Sequence, residues 1–130
     1  EEIKAAQKAE TAEEKYPEVE KKPEITIDDF DKVQIQVGEV IKCEPVPKAK
    51  KLLVSQIKIG AETRQIVSGI AKYYKPEEMV GKKVAVITNL KPCKLCGVES
   101  QGMILAAGDD EGNLSVVTVD KDIVSGSEIC

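Results

Sequence analysis

Residues 64–88, RQIVSGIAKYYKPEEMVGKKVAVIT, decide the fold. Arg64–Ser68 reads as a strand and Lys83–Thr88 as another, both rich in Val and Ile. Between them, Lys75-Pro-Glu-Glu places Pro76 in the first turn of a short helix, where a missing N–H costs nothing. Upstream, Leu53, Ser55, Ile57 and Ile59 alternate along a second strand closed by Gly60. Val33, Ile35 and Val37 alternate in the same way. Gly38 interrupts that phase, and a glycine inside a strand predicts a bulge or barrel corner. Pro45 and Pro47 are expected to end this first strand, and Lys48–Lys51 to form a basic turn. Downstream, Gly102–Ala107 predicts a fifth strand, and Leu114–Val119 one more beyond the Gly108–Gly112 turn. Short strands with one helix between the third and fourth predict an all-β fold, a five-stranded OB barrel with a helical plug.

Residues 1–24 are rich in Ala, Glu and Lys and are broken by Pro17 and Pro23, so they are read as a linker. Thr26-x-x-Asp29 predicts a capping box opening a helical turn over Ile27–Lys32, with Phe30 facing inward. The domain is thus expected to span residues 25–130, with residues from about 108 onward as a strand-containing extension. The chain starts at Glu1 without a Met and is read as a piece of a longer protein. No apolar run approaches the roughly 20 residues that span a bilayer, so no membrane role is expected.

The chain has no His, which removes the commonest general base and every His-containing metal site. Asp28, Asp29 and Asp31 cluster, as do Asp109–Glu111, but both groups sit in turns where carboxylates cap helices or solvate loops. No catalytic residue and no cofactor is assigned. Cys93-x-x-Cys96 has the spacing of one half of a four-thiolate zinc site, but Cys43 and Cys130 are isolated and no βαβ context supports a redox motif. All four cysteines are read as reduced thiols of a cytoplasmic protein, with no metal.

The formal net charge of −4 conceals a partition. Residues 42–94 hold 12 of the 19 basic residues and only 4 of the 23 acidic ones. Because exposed charges are screened beyond about 10 Å, a polyanion responds to this block and not to the total. The block ends in Asn89–Met103, NLKPCKLCGVESQGM, a loop with an amide, two lysines, a serine and two glycines. Lys91 and Lys94 suit phosphates, while Asn89 and Ser100 suit sugar or base edges. With only Phe30, Tyr16, Tyr73 and Tyr74 as aromatics, stacking of single strands is disfavoured and a folded RNA is the better fit. No surface strand shows the apolar enrichment of an unfolded-peptide binder.

The segments ITIDDFDKV, EPVPKAKKLL, ETRQIVSGIAKYYKPEEMVGKKV and NLKPCKLCGVESQGMILAA resemble, in order, motifs of the C-terminal tRNA-binding domain of bacterial methionyl-tRNA synthetases. This module also occurs as free-standing tRNA-binding proteins. The resemblance covers residues 25 to about 128. It implies an OB barrel that forms a homodimer through its N-terminal turn and the segment after the fifth strand, and that grips tRNA with little sequence reading. The ATP-dependent ligase chemistry would lie in a separate catalytic domain of the parent chain. The family's contact pattern falls on Lys51, Arg64, Ser68, Asn89, Lys91, Lys94, Ser100 and Met103. Gln36, Cys93 and Cys96 stand where relatives often carry basic residues, which implies weaker binding. The alternatives are a free-standing tRNA-binding protein or a dimeric secretion chaperone that binds unfolded peptide.

Overall fold

The computed structural model describes residues 16–130, so most of the expected linker lies outside the described residues. Residues 16–24 carry no regular structure and are exposed. Helix α1 (Ile27–Phe30) follows, and the capping box forms as expected: Thr26 Oγ accepts from Asp29 N at 3.2 Å. Phe30, however, is 39% exposed and no residue of α1 is buried, so the expected inward packing does not occur.

Strands β1 (Ile35–Val46), β2 (Ala49–Ile59), β3 (Glu62–Ser68), β4 (Lys83–Ile87) and β7 (Met103–Ile104) form one antiparallel sheet in the order β3-β2-β1-β4-β7. Helix α2 (Pro76–Met79) sits between β3 and β4 in sequence, as the reading of residues 64–88 requires, and buries Met79 completely. The terminal strand β10 (Glu128–Ile129) extends the sheet by pairing with Ile35 and Gln36 of β1. The segment expected as one fifth strand divides into β7 and β8 (Ala106–Gly108), and β8 pairs with β9 (Leu114–Val116).

Leu53, Ser55, Ile57 and Ile59 are all buried, so the alternation read in β2 holds. Their core partners include Val40, Ile66, Val84 and Val86. Ser55 Oγ lies 3.4 Å from Cys43 Sγ, and burial pushes the Cys43 thiol up despite this hydrogen bond.

Of two expectations for β1, one holds only in part, since the strand ends at Val46 directly before Pro47 but not at Pro45, and one fails. The strand runs through Pro45, which pairs with Leu53; only β2 flanks this end, so a proline can be accommodated as at a sheet edge. The irregularities fall at Val40/Lys42 and Pro45/Val46 and not at Gly38, which pairs in register with Val84. Gly38 answers a steric demand instead: a Cβ there would stand 2.5 Å from Ile57 Cγ2.

Candidate nucleic-acid interface

The segment Asn89–Met103, expected as a loop, contains a hairpin. Strand β5 (Cys93–Leu95) pairs with β6 (Val98–Ser100), with Cys93 opposite Ser100 and Lys94 opposite Glu99. The turn is Cys96–Gly97, both with positive φ (51° and 82°), the pairing of signs that a two-residue type I′ turn demands. Cys93 lies in the extended strand and Cys96 in the turn, three residues on. Their Cα atoms are therefore about 9–10 Å apart, beyond the reach of a disulfide.

The neck of this hairpin is tied to β3. The Arg64 guanidinium donates through Nη1 to the carbonyls of both Thr88 and Gln101 (3.3 Å to the latter), which lie before and after the hairpin. Its Nε also pairs with Glu62 at 3.1 Å. Gln65 Nε2 donates to Glu99 O at 2.8 Å, and Gln101 N donates to Gln65 O at 2.7 Å. Ser100 Oγ accepts from Val67 N at 2.9 Å and donates to Gly102 O at 3.1 Å. Asn89 ties the other side, accepting from Gln34 N through Oδ1 and donating to Lys32 O through Nδ2. Gln36 joins the same base: its Nε2 donates to Gly126 O and its Oε1 accepts from Thr88 Oγ1, both at 2.9 Å.

The eight residues expected to contact RNA therefore divide. Lys51, Lys91 and Lys94 are exposed and, among the described residues, enter no ion pair. Met103 is 44% exposed and is not a core residue. Arg64, Asn89 and Ser100 spend their polar atoms on the scaffold, and Ser100 is buried. Ser68 is half-buried, with an Oγ that has no hydrogen-bond partner among the described residues. Ser68, Lys91, Ser100 and Met103 converge on one groove of about 500 Å³. Arg64 borders a second cavity with Thr88, Leu90 and Gln101, and Lys51 stands apart, linked through its carbonyl to Ala71 N.

The sequence reading missed the character of that groove. Its walls include Val67, Ile70, Leu90, Leu95, Ile104 and Leu105, so it is mostly apolar. Leu90 and Leu95 are 46% and 39% exposed, contrary to the expectation of no apolar enrichment at the surface. The signal was present in the leucines of Asn89–Met103, which a soluble loop does not need.

Comparison with known proteins adds family evidence. The family described as "Putative tRNA binding domain" matches over residues 35–128. The methionine–tRNA ligase of Methanocaldococcus jannaschii is 61% identical over 110 residues, which is 85% of this chain and 17% of that protein. The chain thus spans less than a fifth of the length of that curated relative. The crystal structure of a MetRS related protein from Pyrococcus horikoshii superposes with a TM-score of 0.79 at 38% identity, covering 84% of this chain and all of that one. The chaperone CsaA from Bacillus anthracis superposes at 0.75 with 21% identity over 83% of this chain and all of its own, a likeness of fold alone.

Proposed function

The chain belongs to the putative tRNA binding domain family, and on that footing we propose that it is the tRNA-holding appendage of a methionine–tRNA ligase. The observation that carries this reading is a rigidly based hairpin segment presenting two exposed lysines, unpaired among the described residues, Lys91 at the groove and Lys94 on the opposite face of β5. Lysines bind phosphates as point charges, and releasing the counterions of a folded RNA supplies affinity without sequence reading. Tethered to a ligase body in the cytoplasm, such a module raises the local tRNA concentration at the active site. It lowers the apparent KM for tRNA more than it changes the chemical step, and no catalytic residue in this chain takes part.

In this reading the sheet closes into an OB-type barrel, a closure supported by the hydrogen bonds between Gln65 of β3 and Gln101 just before β7. The module acts as a homodimer. The support is apolar surface on the two segments expected to pair: Ile25, Ile27, Phe30 and Val33 near α1, and Ile123 and Val124 near β10, are all exposed. Such a concentration of exposed apolar side chains marks an interaction face. A free-standing protein is the second reading, favoured by the superposition over the whole Pyrococcus chain.

A titration of tRNA at several salt concentrations tests the function. Neutralising about 3–5 phosphates per subunit gives log K falling against log salt with a slope of roughly −0.7 to −0.9 per phosphate. Affinity that is indifferent to salt, or no binding, overturns the proposal.

A further inference from the structure

The groove beside the hairpin has no role in a purely electrostatic grip. Its volume of about 500 Å³ lies in the range of small-molecule sites. Phosphates need cations and water, not leucines. The exposed side chains of Leu90, Leu95 and Met103 stand at its walls, and among the described residues no carboxylate lines it. Lys91 lines it; Lys94, between the lining residues Cys93 and Leu95 of β5, projects from the opposite face of the hairpin. Ser68 adds a hydroxyl with no hydrogen-bond partner among the described residues, unlike Ser100, whose Oγ is fully used.

We infer that the groove receives one unstacked nucleobase of the bound tRNA, with an adjoining phosphate on Lys91. The inference rests on the tRNA-binding reading above and names what that reading leaves open. Apolar walls cover the faces of the base; a rotation about χ1 of Ser68 offers its hydroxyl to the base edge. The combination of apolar slot and cationic rim suits a nucleotide, which is flat and apolar at one end and anionic at the other. A folded RNA exposes such bases only at loops, bulges and bends. A paired duplex has none, so the groove makes the module prefer a folded tRNA over a helix of equal charge.

Cys93 lines the groove, whereas Cys96 at the hairpin tip and Cys130 at the chain end do not. Site-resolved alkylation of the wild-type protein, followed by mass spectrometry, therefore reads its occupancy. Saturating tRNA is expected to slow modification of Cys93 about tenfold more than that of Cys96, as burial under a stacked base requires. A blunt RNA duplex with the same number of phosphates is expected to slow the two equally. Equal protection of Cys93 and Cys96 by tRNA overturns the inference, as does protection of Cys93 by the duplex to the same degree. In parallel, Leu95→Ala and Met103→Ala remove exposed side chains. Each is expected to cost roughly fivefold in tRNA affinity, the low end of what one stacked base contributes, with duplex affinity and salt slope unchanged. Unchanged tRNA affinity in both variants also overturns it. Protection of Cys93 by a permanently unfolded polypeptide but not by tRNA would assign the groove to peptide instead. Failure of both RNAs to bind at all is seen in the titration itself and refutes the tRNA reading, not the groove alone.

Discussion

Replacing Arg64 by Met separates a scaffold role from a phosphate contact. Arg64 Nη1 holds the carbonyls of Thr88 and Gln101, so the substitution leaves the two ends of the hairpin segment without their common donor. A hydrogen bond from a charged group contributes roughly 1.5–3 kcal/mol net. The pair with Glu62 is largely exposed on the acid's side and adds under about 1 kcal/mol. Because water can reach part of the site, the expected loss is about 2–3 kcal/mol. At about 2.1 cal/mol/K of unfolding entropy per residue, a domain of this size loses roughly 4 °C in Tm per kcal/mol, so melting should fall by about 8–12 °C. Amide exchange at Gln65 and Gln101 should accelerate first. Arg64→Lys should recover little, since an ammonium lacks the planar fork that serves several acceptors at once. Thermal melts combined with tRNA titrations at several salt concentrations provide the assay. The expected outcome is lower Tm and weaker binding with an unchanged salt slope. An unchanged Tm with a slope shallower by about 0.7–0.9 would show that Arg64 neutralises a phosphate, and would refute the scaffold role.

Gly38→Ala places a Cβ 2.5 Å from Ile57 Cγ2 in the core and should cost about 1–3 kcal/mol, read as a lower urea midpoint with an unchanged m-value. Cys96→Asn puts a residue that tolerates the left-handed region at φ 51° and should raise stability by about 0.5 kcal/mol, whereas Cys96→Val should lower it; melting of the two variants decides. The Asp109 carboxylate is held below the ordinary range, first by the Asn113 side-chain amide and then by backbone N–H groups of Asn113 and Glu111. A depressed carboxylate contributes stability above its unfolded pKa and loses it as pH falls through the folded value. The Glu111 and Asn113 amide resonances should therefore shift only below the usual aspartate range, and Asp109→Ala should shift them at neutral pH.

Strand positions were legible because burial imposes period two. The run from Leu53 to Ile59 shows its inner face directly, and Pro76 marks the helix that separates the third and fourth strands. The hairpin β5–β6 was not legible, since Cys-Gly occupies the turn where Asn-Gly would announce it. Gly38 was read as a bend because close packing by Ile57, nineteen residues away, leaves no local mark. The same limit applies to the site. Lys91, Lys94 and Met103 stood out by charge and loop position. The bonds that Arg64 makes to the scaffold were not legible, because its main partners are backbone carbonyls 24 and 37 residues away, which no residue type encodes. The groove draws its walls from four separate stretches, within 67–70, 90–95 and 100–106 and at Leu114, joined by sheet pairing and by the neck hydrogen bonds.

The central claim is that the hairpin beside the groove is where tRNA is held. It is tested most directly by the salt dependence of tRNA binding to the double variant Lys91→Ala/Lys94→Ala. Both side chains are exposed, so the fold should melt as the wild type does. Binding should weaken at low salt, with a slope shallower by roughly 1.4–1.8, the loss of two phosphate contacts. Wild-type affinity with a wild-type slope would contradict it and move the contact surface elsewhere on the domain.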